Sequence, residues 1–218
     1  MKSYEVIIFD LDGTLSNSKE GITKSVQYAL SKLGIQENDL NHLEHFIGPP
    51  LTEELIRTYG MSIEEADKGL KYYRERYVPI GIYETEIYPG TEEMLKNLKR
   101  SGKYIAMATS KPQEMAEEVL KYLKIYNYFD LVMGAELHGP RQSKQAVLEA
   151  LFEKLEIKDK KKYIMIGDTC FDIDGAKAVG IDAIGVSYGF GDRKEMLKHG
   201  ALAIVDNAEE LLESLGLS

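Results

Sequence analysis

The chain holds a single cysteine, Cys170, in 218 residues, so no internal disulfide can form. No apolar run approaches the roughly 20 residues needed to cross a bilayer. No basic run occurs, and the net charge is −9. This balance argues against a nucleic acid polymer and against an anionic membrane as partner. It leaves room for a small anionic substrate, because a local cation can reverse the field inside a cleft. The four histidines, His42, His45, His138 and His199, lack zinc-ligand spacing. His42 and His45 are three apart and read as exposed on one helix face. The start MKSYEVIIFD runs directly into a strand with no leader pattern ahead of it. Together these absences lead to the expectation of a cytoplasmic protein. They leave the oligomeric state open.

What is present is ordinary globular composition, 44% apolar and 29% charged. The length fits one sizeable domain, or one domain with a small insert. Five short apolar runs read as strands: Glu5–Phe9, Tyr104–Ala108, Leu131–Gly134, Tyr163–Ile166 and Ala183–Val186. They lack clean alternation, the pattern of strands buried on both faces of a parallel sheet. Ala203–Val205 is a sixth, weaker run. Helical patterns lie between them, over Glu92–Lys99, Gln113–Leu123, Gln145–Leu155, Asp174–Val179 and Glu209–Leu215. Strands alternating with helices predict a doubly wound, Rossmann-like α/β sheet. Ligands in such folds sit beyond the carboxyl ends of the strands.

The alternation fails from about Asn17 to Tyr83, where only helical stripes occur. Ile22, Val26, Ala29, Leu30 and Leu33 form one; Leu51, Leu55 and Ile56 begin a second after Pro49-Pro50; Ala66, Leu70, Tyr73 and Tyr77 form a third. A stretch this long is not an ordinary connection. It predicts an all-helical subdomain at 17–83, inserted in a core made of 1–16 and 84–218, although helices that merely pad the sheet would read the same way.

The most informative stretch is Val6-Ile7-Ile8-Phe9-Asp10-Leu11-Asp12-Gly13-Thr14-Leu15. A buried-type strand ends in two aspartates one residue apart. Carboxylates there are unfavourable unless they bind something, and a hard cation such as Mg²⁺ suits oxygen ligands. A carboxylate beside a metal can also attack phosphorus and form an aspartyl-phosphate. Asp-Gly is equally a hairpin turn, and Asp after a strand is often a cap. Thr109, in Ile105-Ala106-Met107-Ala108-Thr109-Ser110-Lys111-Pro112, places a hydroxyl at a second strand end, where a helix start offers N–H groups to an anion. Thr is also a common helix cap. Asp168 and Asp172, in Gly167-Asp168-Thr169-Cys170-Phe171-Asp172, are four apart and would share a helix face, where two acids without a cation repel. Asp172 as a plain N-cap is the alternative. Asp174 falls elsewhere on that helix, and Cys170 has nothing nearby to mark it as a nucleophile.

FDLDGTL resembles the first motif of the haloacid dehalogenase superfamily of phosphohydrolases. ATSKP and IGDTCFD resemble its second and fourth motifs, so the likeness covers essentially the whole chain. The resemblance implies a phosphoric monoester hydrolase with a helical cap inserted after motif one. It implies Asp10 as nucleophile and Asp12 as general acid and base. The dehalogenase branch lacks this second aspartate, so Asp12 points to phosphoryl transfer. Thr109, Ser110 and Lys144 would hold the phosphoryl group, with Arg141 and Lys111 as rivals to Lys144. Asp10, the Asp12 carbonyl and Asp168 would bind Mg²⁺, with Asp172 binding directly or through water. Phe46-Ile47-Gly48-Pro49-Pro50-Leu51, Ile87-Tyr88-Pro89-Gly90 and Gly185-Val186-Ser187-Tyr188-Gly189 are similar to segments of its phosphoglycolate phosphatase-like and 5′-nucleotidase-like members. The expected partner is therefore a small phosphorylated metabolite, read by the cap, with Lys19, Glu20, Gly48 and Pro49 as candidates for that reading. Phosphomutase, pyrophosphatase or phosphonate hydrolase chemistry on the same scaffold is the alternative. Phosphonate cleavage would need a Schiff-base lysine such as Lys19, Lys24 or Lys32. A phospho-acceptor signalling module is a further reading, but such receivers are shorter and have no helical insert.

Overall fold

The computed structural model describes residues 3–137, 139–155 and 159–217, so His138 lies outside the described residues. The chain divides into two compact units, Met1–Ser16 with Ile87–Ser218, and Asn17–Glu86.

The first unit is built on a six-stranded parallel sheet. Its strands are β1 (Val6–Phe9), then, after the insert, β4 (Tyr104–Pro112), β5 (Leu131–Ala135), β6 (Tyr163–Gly167), β7 (Asp182–Val186) and β8 (Ile204–Val205). Their spatial order is β5-β4-β1-β6-β7-β8. β2 (Ser16–Asn17) and β3 (Glu86–Ile87) form a separate two-stranded sheet. The predicted doubly wound α/β class is therefore the observed one. The chain leaves central β1 and builds outward through β4 and β5 on one side. It then crosses back to β6 and runs out through β7 and β8, which makes the C-terminal edge around β1 a topological switch point.

Helices α4 (Thr91–Arg100), α5 (Gln113–Tyr122), α6 (Lys144–Lys154), α7 (Cys170–Val179), α8 (Arg193–His199) and α9 (Ala208–Ser214) flank the sheet. Because side chains alternate along a strand, β1 presents Val6 and Ile8 to one face and Ile7 and Phe9 to the other. All four are fully buried, which explains the unbroken apolar run. Val6 and Ile8 pack with Val147, Leu148 and Leu151 of α6 and with Ile173 and Ala176 of α7. α7 starts at Cys170, earlier than the apolar pattern indicates, and α8 carries too little apolar periodicity to announce itself.

The second unit holds α1 (Lys19–Lys32), α2 (Leu51–Tyr59) and α3 (Ile63–Tyr77), with short 3-10 turns at Leu40–Phe46 and Gly81–Tyr83. Val26, Ala29 and Leu30 of α1 are buried, as are Leu55 of α2 and Ala66 and Tyr77 of α3. Ile56 is a correction to the second stripe: it is exposed. α3 opens with a capping box in which Ser62 and Glu65 satisfy each other's backbone N–H groups.

Candidate active site

Strand register sets the level of the site. Phe9 pairs with Met107 of β4 and with Ile166 of β6. Asp10, Thr109 and Asp168 therefore emerge at one edge, within two residues of the aligned row, at the carboxyl ends of the three central strands.

Lys144 ties the centre together. It is the first residue of α6, behind an N-cap in which the Ser143 hydroxyl accepts from the Ala146 N–H. Its stem passes Gly175 of α7, where an added Cβ would come within 2.6 Å of the Lys144 Cγ. Its Nζ lies 2.8 Å from Asp10 Oδ1 and 2.8 Å from Asp172 Oδ1, and donates to the Ala108 carbonyl at 2.9 Å. All three ammonium protons thus have a buried partner. Arg141, one rival, donates instead to the Gly134 carbonyl and pairs with Glu136. Lys111, the other, lies 2.9 Å from Asp12 Oδ2.

Asp168 is fully buried and held from two sides. The Thr14 hydroxyl donates to Oδ1 at 3.2 Å and the Phe190 N–H donates to Oδ2 at 2.8 Å. Tyr188, in the same loop as Phe190, donates to the Thr14 carbonyl, linking the two arms. Gly13 closes on the same carboxyl: it has φ +84°, and a Cβ there would lie 2.0 Å from Asp168 Oδ2. Asp172 occupies the third position of α7, and its Oδ2 accepts from both the N–H and the hydroxyl of the N-cap Thr169. The reading of Asp172 as an N-cap is corrected: Thr169 is the N-cap and Asp172 is its capping-box partner. One oxygen closes the capping box while the other faces Lys144.

Asp10, Asp168 and Asp172 offer oxygens that all lie within 4.8 Å of one another. Apart from Lys144, Asp10 Oδ1 and Asp172 Oδ1 have no hydrogen-bond partner, and buried Asp12 Oδ1 has none at all. Four carboxyls face two ammonium groups. Burial pushes the Asp10 carboxyl up to about 6, with Asp172 and Asp12 adding to the rise and Lys144 opposing it. Burial, then Asp172 and Asp10, raise Asp168 well above the usual carboxylate range. Burial works against the charge on Lys144, but the Asp10 and Asp172 carboxylates outweigh it and hold its pKa above normal. An all-oxygen cluster with more carboxyls than ammonium groups and with unpartnered buried oxygens fits a hard divalent cation.

Thr109 is buried, and its Oγ1 accepts from the Lys111 N–H at 3.2 Å. The hydroxyl proton remains available to an anion. Ser110 is half-buried beside it. Asp174 is directed away from the cluster, 2.8 Å from the His199 Nδ1. Cys170 is half-buried, and burial pushes its thiol up, the opposite of activation. In the helical unit, Lys19 pairs with Asn41 and Glu44, and Lys24 with Glu20 and Glu84. Sequence reasoning missed Thr14, Phe190 and the Lys111–Asp12 pair. The glycine-spaced Tyr188-Gly189-Phe190-Gly191 was the one available signal for the Phe190 loop.

Comparison with known proteins places the geometry in context. The sequence profile described as haloacid dehalogenase-like hydrolase matches residues 7–186. A 5′-nucleotidase of Pseudomonas aeruginosa is 42% identical over 196 residues, covering 90% of this chain and 88% of that one. The tyrosine-protein kinase PtkA of Mycobacterium tuberculosis is 35% identical over 221 residues, covering 99% and 74%. A phosphoglycolate phosphatase of Vibrio parahaemolyticus is 28% identical, covering 98% and 97%. The crystal structure of a predicted phosphatase from Clostridium acetobutylicum superposes with a TM-score of 0.94 at 40% identity, covering 98% of each chain.

Proposed function

The chain belongs to the haloacid dehalogenase-like hydrolases and is a hydrolase of phosphate monoesters, and we propose that it works through an aspartyl-phosphate on Asp10 with Mg²⁺ bound beside it. The observation that carries this reading is the buried cluster in which Lys144 bridges Asp10 and Asp172 while Asp168 completes a triad of oxygens. Asp10, the Asp12 carbonyl and Asp168 would hold Mg²⁺, with Asp172 alongside, and the ion would supply charge neutralisation to the phosphoryl oxygens.

The residues themselves do the rest. An Asp10 oxygen forms a bond to phosphorus as the bond from phosphorus to the leaving alkoxide breaks. Asp12 gives that alkoxide a proton. In the second half Asp12 takes a proton from water as the water oxygen attacks phosphorus and the Asp10 oxygen leaves. The Thr109 hydroxyl and the Ser110 N–H bind the transferring phosphoryl oxygens, and the Lys144 ammonium, held between Asp10 and Asp172, supplies positive charge beside them. Water outside this exchange is excluded by the same burial that raises Asp10.

The substrate is a small phosphorylated metabolite. The 5′-nucleotidase and phosphoglycolate phosphatase relatives support a nucleoside monophosphate or a phosphoglycolate-like ester. We assign its recognition to the inserted helical unit, acting as a cap, because the catalytic groups all lie in the sheet unit. Among the described residues no helix is long and apolar enough to cross a membrane.

Turnover of p-nitrophenyl phosphate with Mg²⁺, abolished by Asp10→Asn and by chelation, is the expected result. A panel of phosphomonoesters ranked by kcat/KM then selects the substrate. Turnover that survives Asp10→Asn would end the proposal. Transfer of phosphate from ATP to tyrosine, without hydrolysis, would align the chain with its mycobacterial kinase relative instead.

A further inference from the structure

Resting on that reading, we propose that Lys111 is a positioning residue for the acid–base step, anchoring one oxygen of Asp12 so that the other alone faces the reaction. Lys111 Nζ lies 2.9 Å from Asp12 Oδ2, and both residues are only 8% exposed. The remaining oxygen, Asp12 Oδ1, is buried and accepts no hydrogen bond. One carboxyl is thus divided into a held oxygen and a working oxygen.

The placement of Lys111 is built into the strand end. The register of β4 against β5 shifts between Thr109 and Pro112. Irregularities of this kind re-aim side chains beside active sites. The Lys111 N–H is tied to Thr109 Oγ1, so one residue braces the threonine hydroxyl through its backbone and the aspartate through its ammonium. Lys144 cannot serve Asp12, since its three protons are taken by Asp10, Asp172 and the Ala108 carbonyl.

A buried ion pair is weak support for stability alone, because replacing both partners together by apolar residues of similar volume is often no loss. Orientation of a proton donor is a different matter. Proton transfer needs the donor oxygen within hydrogen-bond reach of the leaving oxygen, and an aspartate free to rotate spends part of its time elsewhere. The held oxygen is also the one that does not take part. As the bond from phosphorus to the leaving alkoxide breaks, Oδ1 delivers its proton there, while Oδ2 stays on Lys111.

The test is a series of phosphate esters that differ in leaving group, from nitrophenol to simple alcohols, each read as kcat/KM. A nitrophenolate leaves without a proton and an alkoxide does not. Lys111→Met is expected to lower kcat/KM at least about 30-fold on alkyl phosphates, a share of the usual contribution of a general acid, and no more than about 3-fold on p-nitrophenyl phosphate. Lys111→Arg, which keeps a cation, restores most of the alkyl activity. Should the methionine variant not fold, Lys111→Gln, which keeps a neutral donor in place of the ammonium, is read on the same series and is expected to show a smaller loss with the same leaving-group dependence. A loss that is uniform across the series, or no loss, overturns the assignment. Asp10→Asn is run on the same series. If its turnover survives, the aspartyl-phosphate reading beneath the proposal falls too; if it is inactive and the leaving-group dependence is unmoved by Lys111 substitution, the proposal alone falls.

Discussion

Lys144 holds two buried carboxylates on a single nitrogen, and its removal separates charge balance from volume. Lys144→Met preserves the packed stem against Gly175 but leaves Asp10 and Asp172 without their cation. Breaking a buried pair from one side costs about 3–5 kcal/mol. The expected outcome is a loss of that size in denaturant unfolding without metal, partly recovered with Mg²⁺, and no turnover in either state. Gly13 makes a sharper geometric prediction. Its φ of +84° disfavours any side chain, and a Cβ would overlap Asp168 Oδ2. Gly13→Ala should displace that carboxyl and weaken Mg²⁺ binding at least about tenfold by calorimetry; unchanged affinity would show that Asp168 is not a ligand. The Asp10 carboxyl adds a pH dependence. Its pKa rises to about 6 because of burial, so the folded, metal-free protein keeps a proton that the unfolded chain releases near 4. The stability this contributes is complete below the unfolded value and is lost as pH rises through about 6. In EDTA, wild type should therefore lose stability relative to Asp10→Asn between pH 4.5 and 7. A difference that is flat, or of the other sign, contradicts the burial argument. At this scale the paired aspartates were legible because FDLDGTL is local. The Lys111–Asp12 pair was not, because it joins the segment after β1 to β4 at a register shift that no short pattern carries.

Elements explain why Asp172 was ambiguous. The helical pattern in the sequence begins at Asp174, yet α7 starts at Cys170, because its first turn is stabilised by polar capping. Thr169 and Asp172 form that capping box, and the same Asp172 faces Lys144. Helix start and acidic cluster are thus one construction. Thr169→Ala should cost about 1 kcal/mol in thermal unfolding, a usual capping loss. It should also raise the Mg²⁺ concentration needed for half-maximal turnover, since Asp172 loses the Thr169 hydroxyl and keeps only the backbone N–H of that residue. A stability loss with no change in metal dependence would assign Asp172 to capping alone. The central strands were readable as fully buried apolar runs because both sheet faces are covered, and Val6 to Phe9 show no exposed side. α8 was not readable, because Met196 is its one buried residue and its ends are set by Asp192 and Gly200. β4 runs on to Pro112 beyond the apolar run, which is the extension that carries Thr109 and Lys111.

At the scale of the molecule, the division of labour follows from where the carboxylates lie. Asp10, Asp168 and Asp172 all belong to the sheet unit, and the unit Asn17–Glu86 contributes none of them. A ligand that binds only the folded form stabilises it by about 2.7 kcal/mol at a hundredfold excess over its dissociation constant. That stabilisation is applied at the cluster. On the proposed reading, an ion bound there would balance the buried carboxyls of Asp10, Asp168 and Asp172. Hydrogen exchange measured with and without Mg²⁺ should therefore show added protection in the strands β1, β4 and β6 and at the start of α7. Amides of α1, α2 and α3 should change little, because their opening is governed by the packing of Leu30, Leu55 and Ala66 within their own unit. Equal protection of both units would mean that the chain opens as one body and that metal binding is felt by the inserted helices. Protection confined to the helices would remove the acidic cluster as the metal site. The expected pattern, with protection concentrated around Asp10 and Asp168, ties the ion to the residues assigned to it by a measurement that needs no substrate.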